Sequence, residues 1–186
     1  IYTSAEAIGE QAEYIRDGLD VKRFWSNVDK FLTECEKPSV TIMATYNILS
    51  IPSYHKVIQK VFDLKQKHYN GKRYRDSAIL LDTAYLRQPE FQQARLISTD
   101  WIAKMKKDYQ LMVDLSDEKY IHIVGHGHTG FYDFECEKLR RVIDWVEAPL
   151  TSTSWLIRQR KDFIKMYTEY DKRREKNFLK TFPEYK

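Results

Sequence analysis

Polar side chains that could bind a ligand follow three predicted strands of the chain. They form three pairs, Ser4 and Glu6, Tyr46 and Asn47, and Asp82 and Thr83. In parallel α/β folds, ligands bind at the carboxyl ends of the strands, so these hydroxyl, carboxylate and amide groups would converge on one rim. Such a rim suits a polar ligand such as a ribose or an amino acid. The same residue types also cap helices and form turns, and that structural role is the alternative.

A second group that could do chemistry is the segment His122-Ile-Val-Gly-His126-Gly-His128. Imidazoles two residues apart on a loop can share a metal ion, and the glycines let the backbone fold closely around it. The segment is similar to one Gly-His-x-His element of the calcineurin-like metallophosphoesterases, whose other ligand motifs are absent. We therefore favour a glycine-rich turn with surface histidines and assign no metal site. A metal-dependent hydrolase using His122, His126 and His128 is kept as an alternative, with His126 and His128 as the candidate ligands.

The elements that must position the first group alternate between strand and helix. Residues 1–4 read as the end of a strand, 40–46 (VTIMATY) as a strand buried on both faces, and 77–82 (SAILLD) as a third strand. Between them, apolar residues recur at the helical spacing after Asp20 and again after Pro52. This alternation predicts parallel strands joined by right-handed helical crossovers.

Beyond Pro89 the pattern becomes mainly helical. Helices are predicted from Ser98, over 137–146 and from Ser154 to about Tyr170, with a strand-like segment at 120–124. The chain therefore divides into residues 1–97, which carry the strands, and residues 98–186, a helical extension packed on them. Three parallel strands leave two open edges, so we expect further strands to be missing.

Length and composition exclude several classes of protein. A chain of 186 residues has the size of one domain, or one domain plus an extension, and 31% charged with 42% hydrophobic residues excludes disorder. A net charge of +4 of mixed sign does not indicate a nucleic-acid partner. No apolar run is long enough to span a bilayer, and no signal peptide is recognisable, so a cytoplasmic location is predicted. Cys35 and Cys136 cannot build a disulfide framework or a four-thiolate metal site.

The N-terminal stretch carries a family likeness. Residues 3–20 (TSAEAIGEQAEYIRDGLD), followed by Trp25-Ser26-Asn27-Val28, resemble the middle of radical S-adenosylmethionine (radical SAM) enzymes of the twitch or SPASM-related group found in phage and environmental genomes. In that group the fourth barrel strand ends in Ser-x-Asp or Ser-x-Glu, and a Gly-x-x-x-Glu-Tyr-x-Arg-x-Gly segment follows. Residues 40–69 and 78–82 then correspond to the fifth strand with its helix and to the sixth strand. The turn at 86–89 and the tail at 171–184 are similar to C-terminal ends of the same group.

The resemblance implies a fold and a function. The fold would be α/β, the C-terminal half of a partial (β/α)6 TIM-like barrel of parallel strands, followed by a mainly helical extension. The parent enzyme would use a [4Fe–4S] cluster to cleave S-adenosylmethionine and generate a substrate radical. By family implication, Ser4 and Glu6 would contact the ribose or methionyl part of S-adenosylmethionine. Arg16 would approach its carboxylate, and Tyr46 and Asn47 would lie near the adenine.

One departure from the family pattern limits what this chain can do alone. The Cys-x-x-x-Cys-x-x-Cys loop that holds the cluster is absent, and Cys35 and Cys136 cannot replace three cluster ligands. The chain would therefore be an inactive fragment whose partner is the missing N-terminal half, with a small molecule or peptide as substrate. The other alternative is a non-catalytic binding or interaction module that has kept half of the barrel.

Overall fold

A three-stranded parallel sheet lies at the centre of the chain. The computed structural model describes residues 1–69, 78–116, 130–149 and 152–186. The strands are β1 (Tyr2–Ser4), β2 (Val40–Tyr46) and β3 (Ile79–Tyr85), in the spatial order β1-β2-β3. All neighbouring pairs are parallel. The predicted α/β class with parallel strands is thereby confirmed.

Helices make up most of the remaining described residues. They are α1 (Glu10–Ile15), α2 (Val21–Glu34), α3 (Tyr54–Lys67), α4 (Thr99–Asp114), α5 (Asp133–Glu147), α6 (Thr153–Arg174) and α7 (Phe178–Thr181). Short 3-10 helices cover Ile51–Ser53, Glu90–Gln92, Ala94–Leu96 and Pro183–Tyr185. No helix in these described ranges is long and apolar enough to cross a membrane.

Strand β3 extends further than its sequence pattern predicted. The predicted strand ended at Asp82, but β3 runs to Tyr85. The strand is longer because its residues pair with β2 as far as Tyr85, which lies opposite Tyr46. Asp82 and Thr83 therefore lie within the strand, and their predicted position after its end is wrong. The strand-like segment at 120–124 and the histidines His122, His126 and His128 fall outside the described residues.

The two crossover helices lie on the same face of the sheet. Asp29 of α2 forms an ion pair with Lys67 at the end of α3, at 2.6 Å, and its second oxygen lies 2.6 Å from Nε2 of His68. Lys60 of α3 stands over the ring of Trp25, 6.0 Å from its centre. Sequential strand order with both helices on one face is a singly wound arrangement, because each crossover turns in the same direction.

The other face of the sheet carries partly or fully exposed side chains. Side chains alternate between the two faces along a strand. In β2 and β3 the side chains that face the helices are all buried, apart from Tyr85 at the end of β3. We call the opposite side the exposed face. It consists of Tyr2, Ser4, Thr41, Met43, Thr45, Leu80, Asp82 and Ala84.

Helix α5 covers the outer edge of β3. The carboxylate of Glu135 accepts a hydrogen bond from the backbone nitrogen of Leu81 at 2.7 Å, so the side chain replaces a missing strand neighbour. Further along, Lys138 forms an ion pair with Asp82 at 2.6 Å. Helix α5 thus follows β3 along its length, and the sheet cannot be extended there.

The outer edge of β1 is open among the described residues. Ala5 donates a backbone hydrogen bond to Met43, and Thr41 donates one to Ile1, so the odd-numbered residues around β1 face β2. The backbone groups of Tyr2 and Ser4 therefore point away from the sheet, and Tyr2 is 76% exposed. Beside this edge lies an apolar groove of about 280 Å³, lined by Ile1, Thr3, Phe24, Asn27, Val28, Phe31 and Val40.

Two hydrophobic clusters hold the elements together. The larger one joins the sheet to α2, α3, α4 and α5 and so contains residues from both sides of position 97. The smaller one is aromatic and joins the C-terminal tail to the loops that follow β1 and β2. Tyr14, Tyr167 and Phe182 are buried in its centre. The helical extension therefore packs on the strand-bearing part through both clusters.

Candidate ligand site at the strand ends

The segment after β1 folds back so that Arg16 returns to the strand end. Gly9, at the N-cap of α1, has a φ angle of 63°, and Gly18, after the helix, has a φ angle of 84°. Both angles lie in the left-handed region, which glycine adopts without a steric cost. These two glycines bracket the six-residue helix α1 and set the direction in which Arg16 leaves it.

Glu6 and Arg16 form a bidentate ion pair directly after β1. Nε of Arg16 donates to one carboxylate oxygen of Glu6 at 2.9 Å, and Nη2 donates to the other at 2.5 Å. Glu6 is 6% exposed, whereas the Arg16 side chain is 42% exposed. These hydrogen bonds raise the pKa of the Arg16 guanidinium above its ordinary value, so it stays charged. Nη1 of Arg16 donates no hydrogen bond to any described residue, so that edge of the guanidinium remains able to bind an anion.

Ser4 lies on the exposed face, two residues before Glu6 in the chain. It is the last residue of β1, partly buried, and pairs in register with Met43 of β2. Met43 is 42% exposed, and Thr45 follows it on the same face. The strand end therefore presents a hydroxyl, a carboxylate and a guanidinium within one short stretch of chain.

Tyr46 and Asn47 do not bring their side chains to this group. Strand β2 continues three residues beyond the Met43 level, which at about 3.3 Å per residue is about 10 Å. Tyr46 is fully buried on the helix side of the sheet, where its ring lies 4.7 Å from that of Tyr54. Burial raises the pKa of Tyr46 well above its ordinary value.

Asn47 serves the turn that follows β2. Its side-chain oxygen accepts a hydrogen bond from the backbone nitrogen of Leu49 at 2.9 Å, and its amide nitrogen donates to the carbonyl of Thr45 at 3.0 Å. This is the turn-forming role that the sequence had left open as the alternative for these residues. Asn47 is 9% exposed.

Asp82 and Thr83 face opposite sides of β3. Asp82 lies on the exposed face and pairs with Lys138. The hydroxyl of Thr83 lies on the helix side, 2.6 Å from that of Tyr54, and is buried. Only Asp82 is therefore on the same face as Ser4, and the two are separated by strand β2.

The C-terminal tail holds α1 in place. The hydroxyl of Tyr14 donates to Asp171 at 2.6 Å, and Lys176 donates to the carbonyl of Glu13 at 2.9 Å. Lys176 also forms an ion pair with Asp17 at 2.7 Å. The anchored residues Glu13, Tyr14 and Asp17 all lie within three positions of Arg16 in the chain. The sequence did not predict this contact, although the acidic Asp17 and the basic run after position 171 are of complementary charge.

The two cysteines do not form a cluster site. Cys35 is exposed at the end of α2, whereas Cys136 is buried in α5, and burial raises the pKa of its thiol to about 12. A thiol with so high a pKa is protonated at neutral pH. Across the described ranges no group of three or more His, Cys, Asp or Glu side chains could hold a metal ion.

Comparison with known proteins adds no relative. No protein-family model matches the chain, and neither a curated protein nor a solved structure matches it.

Proposed function

We propose that this chain is the C-terminal half of a radical SAM enzyme and that Glu6 and Arg16 form part of its S-adenosylmethionine site. The observation that carries the proposal is the asymmetry of the sheet. Helix α5 covers the β3 edge, whereas the β1 edge has no strand beside it among the described residues. By the resemblance, β3 is the last strand of the partial barrel and β1 the fourth, so an open edge at β1 is where a preceding strand would pair.

The groove beside β1 supports the same arrangement. One wall comes from Ile1 and Thr3, before and within β1, and another from α2, including the apolar side chains of Phe24 and Phe31. A preceding strand–helix unit would place its strand against Tyr2 and Ser4 and its helix against these side chains. The exposed face of the sheet would then line the interior of the barrel.

The two segments that carry the family resemblance also contact each other. Glu13 and Tyr14 belong to the N-terminal motif, and Asp171 belongs to the tail. Their hydrogen bonds fix α1 and thereby the position of Arg16. The two motifs are more than 150 residues apart in the chain, and their contact in the fold holds α1 in place.

The residues of this chain fit part of the S-adenosylmethionine molecule. Glu6 binds the Nε edge of Arg16, which leaves the Nη1 edge to receive the amino-acid carboxylate of the ligand in a charge-assisted contact. The hydroxyl of Ser4 would lie against the methionyl or ribose part. No comparable fit exists for the adenine at Tyr46, because that side chain is buried on the other side of the sheet.

The [4Fe–4S] cluster does not fit the residues of this chain. Its reduction of S-adenosylmethionine would supply the radical chemistry, but the thiols of Cys35 and Cys136 are too few to hold it. In this proposal the cluster ligands therefore belong to the preceding half of the protein. This chain contributes Glu6, Arg16 and Ser4 to the S-adenosylmethionine site.

The sequence of the coding DNA upstream of the Ile1 codon tests the proposal. We expect an open reading frame that continues upstream through further strand–helix units and contains Cys-x-x-x-Cys-x-x-Cys. Protein expressed from that frame should then contain iron and sulfide. A Met codon directly before Ile1 would contradict the proposal. Upstream strands without the cysteine motif would favour a non-catalytic binding module.

A further inference from the structure

A pocket beside the carboxyl end of β3 is separate from the Glu6–Arg16 pair. It has a volume of about 440 Å³. Tyr85 is the last residue of β3 and shares the helix side of the sheet with Leu81 and Thr83, whereas Ser4 lies on the exposed face at the other edge. The pocket is lined by Tyr85, Arg87, Gln88, Glu90, Gln93, Arg95, Trp145 and Trp155.

Aromatic rings and guanidinium groups alternate along one wall of the pocket. The ring of Tyr85 stacks on that of Trp145, with centres 4.7 Å apart and planes at 22°. The guanidinium carbon of Arg87 lies 5.2 Å from the centre of the Tyr85 ring, and that of Arg95 lies 5.3 Å from the centre of the Trp145 ring. Each ring of the stacked pair thus has a guanidinium group close to it.

The positive charges of this wall exceed the negative charge in the pocket. Glu90 is the acidic residue of the lining, and one of its oxygens already accepts a hydrogen bond from the Trp155 indole at 2.9 Å. Arg87 donates to the hydroxyl of Tyr85 at 2.7 Å and forms no ion pair with any described residue. Two guanidinium groups against one carboxylate leave a net positive charge of one.

The loop backbone fixes the positions of both arginines. Gln93 is buried and donates to the carbonyl of Arg87 at 2.7 Å. Arg95 donates to the carbonyl of Ala148 at 2.7 Å, just after α5. Its Nε is buried and has no hydrogen-bond partner in the part of the chain that the structure describes. The Arg95 guanidinium is therefore held by backbone carbonyls, whereas the exposed guanidinium of Arg87 contacts the Tyr85 hydroxyl.

We propose that this pocket binds a small organic anion, a carboxylate or a phosphate ester carried on a planar apolar body. The guanidinium of Arg87 binds the anionic group, because its donors match carboxylate and phosphate oxygens. Trp155 and the edges of the stacked Tyr85 and Trp145 rings contact the apolar body. The proposal does not depend on S-adenosylmethionine or on a missing half, since every residue it uses lies in this chain.

The indole N–H signals of the chain test the proposal in solution. In a ¹H–¹⁵N NMR titration, Trp145 and Trp155 report on the pocket, and Trp25 and Trp101 lie elsewhere in the fold. The probes are phenyl phosphate, benzoate and the uncharged benzamide, and the signals are assigned with Trp→Phe variants. We expect saturable shifts of Trp145 and Trp155 with at least one of the two anions. The stronger anion then identifies the group as phosphate or carboxylate.

The Arg87→Gln variant tests the role assigned to the guanidinium. Because Arg87 is exposed, the variant should fold, and unchanged Trp25 and Trp101 signals would confirm it. We expect about a tenfold weaker affinity for the anion, the usual loss for one charge-assisted contact. Arg158→Gln, which removes an exposed arginine of α6 outside the pocket, should leave the affinity unchanged. The proposal is wrong if neither anion shifts Trp145 or Trp155, if benzamide binds equally well, or if the two variants behave alike.

Discussion

At the scale of single residues, the buried carboxylate of Asp108 is the clearest electrostatic anomaly. It is 4% exposed in α4, and burial raises its pKa above the ordinary value even though Lys104 lies 2.9 Å away. The neighbouring His55 has a pKa lowered by burial and by Lys104. The protein thus keeps a carboxyl group in a place that favours its neutral form.

Asp108→Asn should therefore change how stability depends on pH. Since the pKa of Asp108 is higher in the folded than in the unfolded chain, the folded chain binds the proton first. Stability then rises as the pH falls from the raised pKa toward the ordinary value of 3.8. The Asp108→Asn variant lacks this rise in stability at low pH. At pH 7 it should be no less stable than the parent chain. Urea unfolding between pH 4 and pH 7 measures the difference.

An exposed aspartate gives the matched control for this variant. Asp162→Asn on α6 should keep the pH dependence of the parent chain, because Asp162 is exposed. A clear loss of stability in Asp108→Asn at pH 7 would show that the charged Asp108–Lys104 pair is net stabilising. That result would contradict our account of the site.

At the scale of elements, the fold depends on how α5 closes the β3 edge. Lys65 and Glu135 form a fully buried ion pair at 2.9 Å, and the second oxygen of Glu135 holds the backbone of Leu81. Removing one member of a buried pair leaves an uncompensated charge in the core. The pair is therefore the point at which helix and strand are most tightly coupled.

Glu135→Gln should lower the free energy of unfolding by about 3 kcal/mol or more, since it removes the carboxylate that faces the buried Lys65 ammonium. Chemical denaturation followed by circular dichroism measures the loss. Glu137→Gln, two residues along α5, breaks a solvent-exposed pair with Arg140 and should cost less than about 1 kcal/mol. Equal costs for the two variants would refute the special role of Glu135.

The elements were largely predictable from the sequence, and the contacts between them were not. The VTIMATY run and the spacing of apolar residues after Asp20 predicted β2 and α2, because burial patterns are local. The end of β3 was not predictable, because pairing with β2 decides it. Glu6 was predicted from its position after a strand and Arg16 from the family resemblance, but the ion pair between them was not predicted. Nothing in a spacing of ten residues indicates that the two side chains meet.

Two predicted site residues also show that contacts between elements cannot be read from the sequence. Tyr46 is the last residue of β2 and Asn47 follows it. Ligand-binding residues of parallel sheets lie at such strand ends, and the sequence placed both residues at the rim for that reason. Which face a strand-end side chain takes depends on the register, and Tyr46 takes the helix side. Asn47 is held by its own turn. Position along the chain predicted their location but not the direction of their side chains.

At the scale of the whole molecule, the aromatic tail cluster connects the last residues to the strand-end loops. Phe182 is fully buried, and its ring lies 5.3 Å from that of Tyr14. Phe182→Ala should cost about 3–5 kcal/mol, as other large-to-small changes of buried phenylalanine do. Phe134→Ala removes a ring that is 49% exposed and should cost less than about 1 kcal/mol. Urea unfolding compares the two, and a cost below 1 kcal/mol for Phe182→Ala would show that the tail does not stabilise the fold.

Because the β1 edge is open, a substitution that removes a backbone N–H there should have different effects in this chain and in a longer protein. Tyr2→Pro removes a backbone N–H that points away from β2, so it should change the stability of the present chain by less than about 1 kcal/mol. In a longer protein with a strand paired to β1, the same change should cost about 2 kcal/mol more, because a buried carbonyl would lose its donor. Tyr2→Thr keeps the N–H and serves as the control. Equal costs of Tyr2→Pro in both proteins would show that no strand pairs there.

The affinity for S-adenosylmethionine decides whether Glu6 and Arg16 form part of its binding site. Calorimetric titration of the longer, cluster-reconstituted protein should show saturable binding of S-adenosylmethionine. Arg16→Gln should weaken it about tenfold or more, since one charge-assisted contact to the ligand carboxylate is lost. Arg158→Gln should leave the affinity unchanged. Absence of binding by the cluster-loaded protein, or equal affinities of the Arg16→Gln and Arg158→Gln variants, would contradict the assignment of this site.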